Sequence, residues 1–116
     1  LIAIDTVKNI DSIIDTLTPI VGDTATLVRS QQDFLEIIAP HVSKGDALEQ
    51  LAQQYGIGLE HIVSFGNAEN DISMLSKTGY SVAVENAVDH VKSVTHEVCG
   101  HHNEDGVAHW IEEHLL

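Results

Sequence analysis

Residues 64–75 read Ser64-Phe65-Gly66-Asn67-Ala68-Glu69-Asn70-Asp71-Ile72-Ser73-Met74-Leu75. Four oxygen-bearing side chains, Asn67, Glu69, Asn70 and Asp71, come after a glycine that closes a short apolar run. Carboxylates and amide carbonyls grouped in this way suit a hard cation such as Mg²⁺, which takes oxygen ligands and keeps several waters. The start of an adjoining helix would favour an anion such as phosphate. The same residue types are also favoured at helix caps and first turns for backbone and dipole reasons alone. Residues 67–71 thus fit either a binding loop or an ordinary helix start. A second grouping, His96, Cys99, His101 and His102, imitates a zinc set but matches no standard zinc spacing.

The elements that must position the loop can be read from hydropathy spacing. Leu1 to Ile4 is an apolar run that predicts a strand. Val7, Ile10, Ile13, Ile14, Leu17 and Val21 recur at three- and four-residue steps and predict a helix, ended by Pro19 and Gly22. Thr24 to Ser30 and Asp33 to Ala39 predict two strands turned by a short hairpin. Pro40 punctuates the chain. Ser43 to Tyr55 then predicts a helix with Ala47, Leu48, Leu51 and Ala52 on one face. His61 to Phe65 predicts a buried strand, and Ala68 to Lys77 a helix stopping at Gly79. Beyond it come a strand over Tyr80 to Val84, a helix over Ala87 to His96, a doubtful strand over Glu97 to Cys99 and a last helix over Asp105 to His114. Trp110, Ile111 and Leu115 sit at helical spacing as core residues. Alternation of helix and strand with short loops predicts a parallel sheet in an α/β layer fold. In such sheets ligands bind outside the carboxyl ends of the strands, which is where residues 67–71 fall.

Composition narrows the partners. The 116 residues contain five Lys or Arg against eighteen Asp or Glu, a formal charge of −13. A chain this acidic is repelled by phosphate backbones and anionic lipid, so neither nucleic acid nor a membrane surface is expected as a partner. The single cysteine, Cys99, cannot form an internal disulfide, which fits a reducing cytoplasm. No apolar run approaches the ~20 residues needed to span a bilayer, and no signal peptide is visible at the start of the chain.

From Ser43 onward the sequence resembles the C-terminal part of haloacid-dehalogenase-superfamily phosphatases of the Cof-type, sugar-phosphatase-like branch. The matching blocks, in order, are Ser43-Lys44-Gly45-Asp46-Ala47-Leu48, Gly66 to Leu75, Val82-Ala83-Val84-Glu85-Asn86-Ala87, Val91-Lys92 and Asn103-Glu104-Asp105-Gly106-Val107-Ala108. Val28-Arg29-Ser30 and Phe34-Leu35-Glu36-Ile37 are similar to the closing segment of that branch's α/β cap. The resemblance implies an α/β chain: residues 1–40 as the C-terminal remnant of the cap, and residues 41–116 as the C-terminal half of a Rossmann-like core. It implies hydrolysis of small phosphomonoesters, sugar phosphates or similar metabolites, through an aspartyl-phosphate, with Mg²⁺ as cofactor. Lys44 matches the family's lysine, which offsets phosphoryl charge. Asn67, Asn70 and Asp71 match the metal loop, with Asp71 supporting the metal or its waters or pairing with the lysine. Asn86 resembles a rim position, and Arg29 is a candidate substrate contact. For Asn86 a turn role, and for Arg29 a surface charge, fit the residues equally well.

Two departures from the family pattern stand out. Asn67 occupies the place of an aspartate that ligates Mg²⁺ directly, so weaker metal binding is expected. The Asp-x-Asp-Gly-Thr motif that carries the nucleophile is absent from these residues; Asp5-Thr6 is not that motif. The nucleophile is expected outside this chain. The strand over His61 to Phe65 would then expose an edge, covered by self-association or by a companion N-terminal fragment. The alternative is a non-catalytic, truncated module that acts by self-association or protein binding.

Overall fold

Strand and helix in the first part of the chain track the hydropathy pattern closely. In a computed structural model describing all 116 residues, β1 spans Ile2–Ile4, α1 Val7–Val21, β2 Thr26–Gln31 and β3 Phe34–Ile38. The three strands form an antiparallel sheet in the order β1-β3-β2. Thr6 starts α1 by accepting the Asn9 N–H on its side chain at 3.3 Å. Ile10 of the helix and Leu35 of β3 are fully buried. α1 does not stop at Pro19 but continues to Val21, with Gly22 beyond it. The end at Gly22 is the expected one; Pro19 lies inside the last turn, where its missing N–H leaves one helical bond unmade. Gly22–Thr24 then form a 3₁₀ turn, which delays β2 to Thr26.

This first unit, Leu1–Ser43, is distinct from a second, Lys44–Leu116. The second contains α2 (Lys44–Tyr55), β4 (Val63–Gly66), α3 (Ile72–Leu75), β5 (Tyr80–Val84), α4 (Asp89–Val94), β6 (Glu97–Cys99) and α5 (Gly106–Leu115). Its sheet is parallel, in the order β4-β5-β6, so Glu97 to Cys99 is a true strand and β4 lies at an edge. β5, the central strand, is buried along Ser81-Val82-Ala83-Val84, as its near-continuous apolar run requires of a strand covered on both faces. On one face Trp110 of α5 meets Phe65 of β4 edge-on, ring centroids 5.3 Å apart. On the other, the Ser64 and Thr78 hydroxyls share a buried hydrogen bond of 2.5 Å. The core gathers Leu75, Val82, Ala83, Val84, Ala87, Val91, Cys99 and Trp110. Each fully buried aliphatic side chain here contributes about 1.5–3 kcal/mol.

Three expectations are corrected. The helix over Ala68 to Lys77 shrinks to a 3₁₀ turn at Glu69–Asp71 and the four residues of α3. Asp71 accepts N–H groups from the loop, and the Ser76 hydroxyl donates to the Ile72 carbonyl at 2.7 Å, so side chains compete with the helical ladder. The helix over Ala87 to His96 is confined to Asp89–Val94, because Val88 and Thr95 are extended. Of the apolar face of α2, Ala52 is buried but Leu51 is 49% exposed; Leu115 of α5 is 56% exposed and outside the core.

Candidate active site

Gly66 ends β4 where the backbone packs tightly against the next turn. A Cβ there would lie 2.7 Å from the Asp71 Cβ and 2.8 Å from Leu75 Cδ1, so only glycine lets the strand end fold onto that turn. The chain then doubles back through Asn67 and Ala68 to Asp71, which is 3% exposed. Asp71 Oδ2 accepts the N–H of Asn67 at 2.9 Å and of Ala68 at 3.2 Å. Its Oδ1 receives the Lys44 ammonium from the first residue of α2. Burial pushes the Asp71 carboxyl pKa up, but the Lys44 ammonium and the two loop N–H groups together outweigh it and hold it below the ordinary 3.8.

The Lys44 side chain is half exposed, 52%, against 5% for Asp71. One end of the pair is thus anchored inside the protein and the other faces solvent. An ammonium held in this way is a fixed positive charge available to a ligand. A cation at a helix N-terminus gains nothing from the helix dipole, so Asp71 is what holds it there. α2 lies directly on the backbone after Asp71: a Cβ on Gly45 would fall 2.6 Å from the Ser73 carbonyl carbon. The Gly45 N–H donates to Ser73 Oγ at 3.1 Å, and Lys77 reaches Asp46 and Glu49, each at 2.7 Å. Hydrogen bonds to those two carboxylates raise the Lys77 pKa.

The structure brings Lys44, Asn67, Asn70 and Asp71 into one region at the carboxyl end of β4. The side chains of Asn67, which is exposed, and Asn70, half-buried, make no hydrogen bond to the protein. Asn86 lies at the same end of the sheet: its Oδ1 accepts the His102 N–H at 3.2 Å, tying the loop after β5 to the one after β6. The Asn67 carbonyl accepts the Val88 N–H at 3.1 Å, tying the loops after β4 and β5. Arg29 belongs to the first unit, where it pairs with Asp11 at 2.7 Å. Sequence reading missed the contacts of Gly45, Ser73 and Lys77; the only signal was Asp46 and Glu49, one helical turn apart on α2. The histidine grouping forms no site, for no three His, Cys, Asp or Glu side chains are placed to hold a metal. His96 Nδ1 accepts the Ser81 N–H at 3.1 Å, and burial raises the Cys99 thiol pKa.

A sequence model of the haloacid dehalogenase-like hydrolases matches residues 1–111. The chain belongs to that family. It is 36% identical to the putative phosphatase YxeH of Bacillus subtilis over 113 residues, 97% of this chain and 42% of that protein. Among solved structures, a haloacid dehalogenase-like hydrolase from B. subtilis matches with a TM-score of 0.86 and 33% identity, over 99% of this chain and 40% of that one. The subclass IIB sugar phosphatase BT4131 matches with a TM-score of 0.79 and 25% identity, over 97% and 41%. The chloroplastic endoribonuclease YBEY of Arabidopsis thaliana is 34% identical over 92% of this chain, yet only 18% of that protein is involved. The haloacid dehalogenase-like chain spans between 30% and 42% of the length of the curated phosphatases it matches. Its α/β architecture and the Cof-type resemblance of Gly66 to Leu75 agree with these neighbours. No helix is long and apolar enough to cross a membrane.

Proposed function

We propose that these residues are the C-terminal part of a cytoplasmic, Mg²⁺-assisted phosphatase acting on small phosphomonoesters such as sugar phosphates. The observation that carries this reading is Lys44, a half-exposed cation held on the buried Asp71 beside the Gly66 loop. In the reaction a carboxylate oxygen attacks phosphorus and the ester oxygen leaves as an alcohol, taking a proton. Water then cleaves the aspartyl-phosphate to return the carboxylate and release phosphate. The attacking aspartate lies outside these 116 residues, in which no Asp-x-Asp-Gly-Thr sequence occurs.

Lys44 neutralises charge gathering on the phosphoryl oxygens, already oriented by Asp71. Asp71 acts through it and through the loop amides, since both carboxylate oxygens have partners in the protein. The donor types fit Mg²⁺: the free amide oxygens of Asn67 and Asn70 would hold it, and Asp71 would support its waters. Mg²⁺ sites commonly use one or two carboxylates, and here the single buried one is engaged, so affinity is weak. When bound, the ion supplies a Lewis acid for the phosphoryl group.

Residues 1–40 close a cap that selects substrate, with Arg29 a candidate contact, and residues 41–116 are half of the core, with Asn86 at its rim. The free edge of β4 is covered by a companion N-terminal segment or by self-association. Asn67 favours a second reading, a non-catalytic module acting by association with protein, because it removes the ligating charge.

The test uses the product of the full reading frame encoding these residues. Lys44→Ala and Asp71→Ala should each lower turnover of an aryl phosphate by at least about 10²-fold. Unchanged rates would remove both from the mechanism. Absence of activity in the parent, with or without Mg²⁺, would favour the module.

A further inference from the structure

A lysine is a poor instrument for placing charge. Its ammonium rides on a flexible four-carbon stem, so precision must come from the backbone that carries it. Lys44 is the first residue of α2, and helix starts leave N–H groups without intrahelical partners. One of these, on the buried Gly45, is taken up across elements by the Ser73 hydroxyl at 3.1 Å. Because a Cβ at 45 would strike the Ser73 carbonyl, α2 rests on this backbone with no side chain between. Farther along, Lys77 grips Asp46 and Glu49 at 2.7 Å each. The contacts run in order: residue 44 to 71, 45 to 73, and 46 and 49 to 77. One residue of slip along α2 moves each partner about 1.5 Å along and about 100° around the axis, which no contact in this series tolerates. Lys77 is also notable in so acidic a chain. Only five residues are Lys or Arg, and two of them join α2 to the segment after β4.

We propose that Ser73 is a positioning residue: its hydroxyl, seconded by Lys77, fixes the register of α2 that delivers Lys44 to Asp71. The proposal deepens the phosphatase reading, on which the catalytic meaning of Lys44 rests, but its geometry does not depend on that reading. Removing the hydroxyl leaves the Gly45 N–H without an acceptor in a place too crowded for a side chain. The first turn of α2 must then loosen or shift, and Lys44 with it.

The test is nuclear magnetic resonance on the product of the full reading frame, comparing the parent with Ser73→Ala, Ser73→Thr and Lys77→Met. Two local signals are read: hydrogen exchange of the Gly45 amide and the ammonium resonance of Lys44, which persists only while the ion pair is closed. Ser73→Ala should speed Gly45 exchange about tenfold or more and extinguish the Lys44 resonance, with exchange in β5 unchanged. Ser73→Thr, which keeps a hydroxyl, should restore both signals. Lys77→Met should produce the same pattern more weakly, and it decides the matter should Ser73→Ala not fold. Parent-like Gly45 and Lys44 signals in Ser73→Ala, or in Lys77→Met if that variant must stand alone, would overturn the proposal. So would loss of protection spread evenly over the sheet, which marks a general structural role. In the full-length product, Ser73→Ala should lower kcat with KM little changed. If Lys44→Ala leaves turnover intact while the resonance pattern is as expected, the catalytic role of Lys44 fails and the positioning stands; if the parent itself has no turnover, the phosphatase reading fails and the positioning still stands.

Discussion

The chain contains two ion pairs that look alike as residue types and differ in setting. Arg29–Asp11 and Lys44–Asp71 each join a strong cation to an aspartate distant in sequence. The Asp11 side chain is 57% exposed and its partner Arg29 21%, whereas the Asp71 side chain is 5% exposed and accepts two backbone N–H groups besides its cation. Exposed pairs contribute between nothing and about 1 kcal/mol, because solvent and salt screen them. A buried carboxylate with all its partners in place is different, since removing it leaves several donors unsatisfied at once. The difference separates a surface contact from a site: it is the number of donors turned on one shielded group.

Truncating each aspartate breaks the comparison most directly. Asp71→Ala should cost about 2–4 kcal/mol of stability, from two N–H groups and a cation losing their acceptor. Asp11→Ala should cost under about 1 kcal/mol. Urea denaturation of the two variants measures both, and equal costs would dissolve the distinction.

Acid sharpens it. Because the folded Asp71 carboxyl titrates below its ordinary 3.8, its contribution is complete above that pH and is lost as pH falls through the lower, folded value. The stability gap between the parent and Asp71→Asn should therefore stay constant from pH 7 to about 4 and narrow below that. A gap that widens on acidification would contradict the sign. Salt is the gentler probe. Raising NaCl from about 0.05 to 0.5 M should erase most of the Asp11→Ala effect, and a smaller share of the Asp71→Ala effect.

The loop after β4 offers the next contrast. Asn67→Asp restores a carboxylate on an exposed side chain without disturbing the Asp71 network. Mg²⁺ affinity by calorimetry should rise about tenfold or more. No change would place the cation elsewhere.

Much of the framework was legible because it rests on local patterns. The apolar spacing from Val7 to Val21 gave α1, and the run from Tyr80 to Val84 gave β5. Boundaries failed where side chains compete with backbone bonds, as with Ser76 and Thr78 shortening α3. The Lys44–Asp71 pair spans 27 positions, and no periodicity reaches so far; it was accessible only through resemblance. Gly45 and Ser73 were beyond reach for the same reason, because a glycine signals close approach only once the neighbour is known. Leu51 was placed on an apolar face by spacing alone, yet nothing in this chain buries it.

The most direct measurement is aryl phosphate hydrolysis with Mg²⁺ by the product of the full reading frame, by its Lys44→Ala variant, and by the 116-residue chain alone. Turnover is expected in the full product, with a loss of at least about 10²-fold in the variant and none in the chain by itself. Undiminished turnover in Lys44→Ala, or turnover by the isolated chain, would contradict the assignment of Lys44 to a site completed from outside these residues.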